Sequence, residues 1–135
     1  GKALEDKDVR NMSPLTLAYI GDTIYDLIVR SYLVMAYPTT VHQLHHKAIE
    51  FVNAGAQSDT LNEIIERLTE DEKNMVRRGR NAKSGTVPKN ADIGDYRRAT
   101  GLEALLGYLY LSGKMERLTE IAGWILDNKT NEKPK

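Results

Sequence analysis

The stretch SPLTLAYIGDTIYDLIVRSYL, Ser13 to Leu33, decides the fold. Ser13 is a good N-cap and Pro14 suits the first helical position. The apolar residues that follow, Leu15, Leu17, Ala18, Ile20, Ile24, Leu27, Ile28 and Leu33, form a run too long for a strand. This spacing predicts one mostly buried helix over 14–35, closed by Pro38. An apolar helix of that length is the expected centre of a bundle, with the rest of the chain packed around it.

The flanking sequence has the same helical period. Thr39 or Thr40 can cap a second helix through Leu44, Ala48, Ile49 and Val52, ending near Gly55. Ser58 is expected to cap a third, with Leu61, Ile64, Ile65 and Leu68 on one face. Thr69 and Glu72 have the spacing of a capping box for a fourth helix, expected to fail at Gly79. The irregular segment NAKSGTVPKN, Asn81 to Asn90, is long for a compact domain and more typical of a functional loop. Two more helices are expected, near Tyr96 to Leu111 and Glu116 to Asp127, parted by Ser112-Gly113, with a frayed tail from about 128. The fold class is all-α: six or so helices in one domain spanning 1–135, without internal repeats.

Composition narrows the chemistry. The absence of cysteine excludes disulfides, thiolate metal sites and a cysteine nucleophile. No run approaches the ~20 apolar residues of a membrane helix, and Gly1 to Asp8 lacks an apolar signal-like stretch, so no membrane role and a cytoplasmic location are expected. Nineteen basic against nineteen acidic residues give a net charge of zero, which taken whole argues against nucleic acid as a partner. Placed along the chain, the charge separates. Residues 73–98 carry Lys73, Arg77, Arg78, Arg80, Lys83, Lys89, Arg97 and Arg98 against Asp92 and Asp95, a net of +6, leaving −6 elsewhere. A solvated helix face is the ordinary explanation of such a run. Because this one continues into a Gly/Pro/Asn loop, a phosphate-facing patch is favoured, with Arg77, Arg78, Arg80, Lys83 and Lys89 as the charges and Ser84 and Thr86 as hydroxyl donors.

Two acids interrupt apolar helices. Asp22 lies within the first, where an ionised carboxylate costs several kcal/mol to bury unless paired or metal-bound. Gly21 beside it implies a close approach that keeps the side chain small. A structural ion pair with Arg97 or Arg98 is the alternative use of Asp22, and Asp26, one turn on, reads as a solvated or salt-bridged neighbour. Glu103 is the one charge in GLEALLGYLYL. If the two acids face each other, a hard oxygen-liganded cation such as Mg2+ can sit between them. His42, His45 and His46 read as surface histidines, since a HExxH zinc motif would need glutamate where Gln43 stands. The tyrosines are spaced for packing, and no nucleophile elbow or P-loop is present.

LTLAYIGDTIYDLIVR, centred on Gly21-Asp22, resembles the signature helix of the ribonuclease III catalytic domain, and GLEALLGYLYL resembles its second acidic helix, centred on Glu103. RGRNAKSGTVPKNAD, Arg78 to Asp92, is similar to the loop of the short Mini-III branch, which lacks a double-stranded RNA-binding domain. The resemblance implies a homodimeric, all-helical, Mg2+-dependent endoribonuclease. Its substrate would be double-stranded RNA, in this branch the precursor of large-subunit ribosomal RNA, cut to 5′-phosphate and 3′-hydroxyl ends. It makes Asp22 and Glu103 the catalytic and metal-binding residues. It also exposes departures: full-length enzymes carry acids where this chain has Leu15, Ala18 and Thr100, so fewer metal ligands are expected, with Asp26, Asp92 or Asp95 as possible substitutes. A non-catalytic ribonuclease III-like protein that binds RNA in a larger assembly is the alternative, but it has no need of two buried acids.

Overall fold

The computed structural model describes residues 4–82, 87, 89 and 92–131. It contains α1 (Asp6–Arg10), α2 (Pro14–Ala36), α3 (Val41–Val52), α4 (Ala54–Ile64) running into a 3-10 turn (Ile65–Arg67), α5 (Glu70–Asn81), α6 (Ile93–Leu111) and α7 (Met115–Asn131). No strand occurs among the described residues, so the all-α expectation holds. No described helix is long and apolar enough to cross a membrane.

Side-chain caps set most boundaries. The Ser13 hydroxyl accepts from the Leu15 N–H with Pro14 at the first position of α2, and Thr40 accepts from Gln43 to open α3. At α5 the Thr69 hydroxyl accepts from the Glu72 N–H at 3.1 Å while the Glu72 carboxylate accepts from the Thr69 N–H at 2.8 Å, the reciprocal box expected from sequence. Asp92 caps α6 through the Asp95 N–H. Gly113, with φ of 76°, takes the left-handed turn that separates α6 from α7.

Four expectations need correction. Asn53, not Ser58, caps the helix after α3: its side-chain oxygen accepts from the Ala56 N–H at 2.9 Å, and Ser58 is buried inside α4. Helix α5 does not fail at Gly79 but continues to Asn81. The chain before Ser13 forms a short helix, α1, and α7 extends to Asn131 rather than ending near Asp127; residues 132–135 lie outside the described residues.

The fourth correction is the centre of the bundle. It is α6, whose residues Ala99 to Leu102 and Ala104 to Leu109 are all buried. Helix α2 packs one face on it through Leu17, Tyr25, Val29 and Leu33, and turns Tyr19, Asp22, Leu27 and Val34 to solvent. Both helices are apolar enough to be central, but α6 is enclosed on nearly every side from Ala99 to Leu109 and has glycines where neighbours approach. A Cβ on Gly101 would lie 2.6 Å from the Val76 carbonyl of α5, and one on Gly107 would lie 1.9 Å from the Leu17 carbonyl of α2. Gly79 is the reciprocal contact of α5, where a Cβ would come within 2.8 Å of the Gly101 Cα. A helix-weakening residue is thus retained at Gly79 because nothing larger fits.

Candidate functional site

Helices α2 and α6 run antiparallel in close contact. Leu17 meets Gly107 and, one turn on, Gly21 meets Glu103, where an added Cβ would sit 1.7 Å from the Glu103 carbonyl oxygen. This accounts for the glycine before Asp22: it brings the α2 backbone onto α6 at the level of Glu103. The two acids, far apart in sequence, are therefore neighbours, and their side chains share a hydrogen bond.

Their environments are unequal. Asp22 is exposed, contrary to the expectation of a buried carboxylate, because it lies on the solvent side of α2. Glu103 is half-buried, and its pKa is pushed up to about 8, first by burial and then by the Asp22 charge and the shared hydrogen bond. A hydrogen bond between two carboxyl groups needs one proton, and Glu103 is the group driven to carry it.

The pair opens into a cleft of about 440 Å³ whose wall includes Leu15, Ala18, Tyr19, Gln57, Thr100 and Asp22 with Glu103. Leu15, Ala18 and Thr100, the departures noted from sequence, thus line the cleft itself. The Thr100 hydroxyl donates to the Tyr96 carbonyl at 3.0 Å. None of the three suggested substitute acids joins the pair. Asp26 pairs with Arg30 at 3.0 Å, Asp92 caps α6, and Asp95 pairs with Arg98. No group of three or more His, Cys, Asp or Glu side chains suited to a metal ion occurs among the described residues. Nor does Asp22 use either arginine suggested as its ion-pair partner: Arg98 donates to Ser58 at 2.6 Å and to Asp95 at 3.1 Å, and Arg97 points to solvent.

Gln57 escaped the sequence reading. Once the cap is moved to Asn53, Gln57, Thr60, Leu61 and Ile64 fall at i, i+3, i+4 and i+7 on the buried face of α4, and an amide on such a face is a signal. Its Nε2 donates to the Val52 carbonyl at 2.8 Å, and its side chain lies beside Glu103 in the cleft wall, where it works against the upward pull of burial on that carboxyl's pKa. Its Oε1 is buried with no partner among the described residues.

The donor set suits a hard divalent cation. Two carboxyl groups within hydrogen-bond reach, one driven to retain a proton by burial and then by its neighbour's charge, is an arrangement that an oxygen-liganded 2+ ion relieves by replacing that proton. Asp22 and Glu103 are the residues that can hold it.

The basic residues divide by role. Arg77 and Arg80 are exposed on α5, with the Arg77 guanidinium against Asn74. Arg78 is a strut: it donates to the Arg10 carbonyl at 2.7 Å and the Met12 carbonyl at 3.1 Å, fastening the α1–α2 junction to α5. Lys89 is exposed, while Lys83, Ser84 and Thr86 lie outside the described residues. Ser13, Leu15, Asn74, Arg77, Arg78 and Asn81 line a second cleft, and Leu15 is common to both. His42, His45 and His46 are exposed as expected, with the Nε2 atoms of His42 and His46 3.2 Å apart.

Comparison with known proteins gives the family. Residues 15–114 match the ribonuclease III domain family. The chain is 46% identical over 128 residues to a Mini-ribonuclease 3 of Clostridium tetani, covering 94% of this chain and 85% of that one. It is 45% identical over 131 residues to the Mini-ribonuclease 3 of Enterococcus faecalis, covering 94% and 99%. A crystal structure of a Fusobacterium nucleatum protein superposes with a TM-score of 0.79 at 33% identity, covering 90% of this chain and 98% of that one. The family match takes in both acidic helices and the close glycine contacts between them, and the chain belongs to the ribonuclease III family, in its Mini-ribonuclease 3 branch.

Proposed function

We propose that this ribonuclease III-type endoribonuclease is Mg2+-dependent, cleaves double-stranded RNA as a homodimer with one catalytic domain per chain, and matures the large-subunit ribosomal RNA precursor in the cytoplasm. The observation that carries the reading is the Asp22–Glu103 pair, two carboxyl groups sharing a hydrogen bond in an open cleft. When bound, Mg2+ polarises a phosphate oxygen and acidifies a water for in-line attack. Asp22 and Glu103 would hold the ion, Glu103 releasing its proton to solvent as the ion binds. Leu15 and Ala18 line the cleft beside the pair, and Arg77 and Arg80 offer charge to RNA phosphates. Because duplex RNA hides its base edges in a deep, narrow major groove, recognition is of A-form shape and backbone. The products carry 5′-phosphate and 3′-hydroxyl ends. Exposed Leu27, Val34 and Met35 on α2 and Val41 on α3 supply an apolar face for a second copy.

The test is incubation with long double-stranded RNA, with and without Mg2+, beside Asp22→Asn. Cleavage is expected with Mg2+ alone, ceasing on chelation and in the variant; persistence in either case refutes the site. A separate measurement addresses the basic helix. Arg77→Ala with Arg80→Ala is expected to weaken RNA binding and lower the magnitude of the slope of log affinity against log salt by about 1 to 2. An unchanged slope removes these residues from the RNA track.

A further inference from the structure

Gln57 is 3% exposed, yet its Oε1 has no partner among the described residues. A buried unpaired acceptor carries its desolvation penalty uncompensated, which an apolar side chain of similar volume avoids. Stability alone therefore does not explain an amide at this place. Its surroundings suggest a task. The Nε2 bond to the Val52 carbonyl, at 2.8 Å, fixes the plane of the amide, and the side chain lies in the cleft wall against Glu103. Two carboxylates forced together turn apart when both are ionised. A donor anchored on backbone opposes that turn, and Thr100, the nearby alternative, has its hydroxyl proton on Tyr96.

We propose that Gln57 is a positioning residue of the carboxylate pair: its buried amide, clamped on the Val52 carbonyl, holds the Glu103 carboxylate toward Asp22 in the orientation that shared cation binding requires. This rests on reading the pair as a Mg2+ site. Gln57 acts through Glu103, so its removal lowers cation affinity and turnover and leaves RNA binding unaffected.

The test compares wild type with Gln57→Met, which keeps the volume and removes both donors and the orphaned oxygen, and with Gln57→Leu should the first fold poorly. Calorimetric titration of the RNA-free protein with Mg2+ is expected to show affinity lowered about 10- to 100-fold, the range for groups that orient metal ligands. On double-stranded RNA, kcat falls by a similar factor, KM stays within about twofold, and raising Mg2+ restores most of kcat. The melting temperature in chelator stays at or above that of wild type. Unchanged Mg2+ affinity and kcat in a folded variant overturn the proposal, as does a loss confined to KM or a loss that added Mg2+ does not repair. Wild-type protein that binds Mg2+ without cutting RNA refutes the functional reading, and the variant's Mg2+ affinity still decides the role of Gln57. Wild-type protein that binds no Mg2+ overturns both.

Discussion

Glu103→Gln is expected to yield a protein that is more stable without metal and incapable of cleavage. Glu103 has its pKa raised to about 8 from the ordinary carboxylate value of 4.5. A carboxyl raised in the folded state favours folding while protonated. Its contribution is therefore full below the unfolded value near 4.5 and lost as pH rises through about 8. Glutamine keeps the shape, donates an N–H toward Asp22 and never ionises. In chelator at pH 9 the variant should gain on the order of 2 kcal/mol, or roughly 5–10 °C in melting temperature, and at pH 4 it should gain little. Cleavage of double-stranded RNA should fall by at least about 10³-fold, since one of the two carboxylates proposed to hold the cation is gone. Thermal melts at the two pH values and a single-turnover cleavage assay check both parts. Equal melting temperatures at pH 9 would falsify the assignment of the burial penalty to this residue.

Gly21→Ala should have the largest effect on the fold. The added Cβ would lie 1.7 Å from the Glu103 carbonyl oxygen, and both sides of that contact are helix backbone with no rotamer to yield. Separating α2 from α6 to relieve it also disturbs the Leu17–Gly107 contact one turn away. The gain in helix propensity from alanine, about 1 kcal/mol, is outweighed by a packing penalty expected to exceed about 3 kcal/mol. Gly123 provides the control, since it is helical and exposed with nothing within 4 Å of an added Cβ. Gly123→Ala should stabilise by up to about 1 kcal/mol. Denaturant melts of the two variants, read by far-UV circular dichroism, are expected to move in opposite directions, and a Gly21→Ala protein as stable as wild type contradicts the close crossing.

The elements legible in the sequence were those written in local chemistry. Ser13-Pro14, the Thr69/Glu72 box and the Ser112-Gly113 break all correspond to boundaries in the structure. The candidate acids were legible too, since a lone charge in an apolar helix stands out whether or not it proves buried. What escaped depends on partners distant in sequence. Ser58 and Asn53 are equally good caps in isolation; only the Arg98 side chain, which takes the Ser58 hydroxyl, and the burial around it show that Ser58 is interior. Gly79 looks like a stop until Gly101 is seen against it. Arg78 counts as surface charge along the chain, but its guanidinium is committed to two carbonyls of the α1–α2 junction. An apolar pattern likewise marks α2 and α6 as buried without telling which is enclosed, and that choice put Asp22 in solvent and the desolvation penalty on Glu103.

The glycine-lined crossing of α2 and α6 also sets when the proposed site can form. On the ribosome α2 emerges early, carrying Asp22, while Glu103 follows only after α3, α4 and α5 have been made. A nascent chain therefore carries Asp22 without Glu103 for most of its synthesis, and the proposed cation site is incomplete until α6 has been made. The two carboxyl groups meet only where α2 packs on α6, so the proposed site is assembled by the same contact that closes the helix crossing at Gly21 and Gly107.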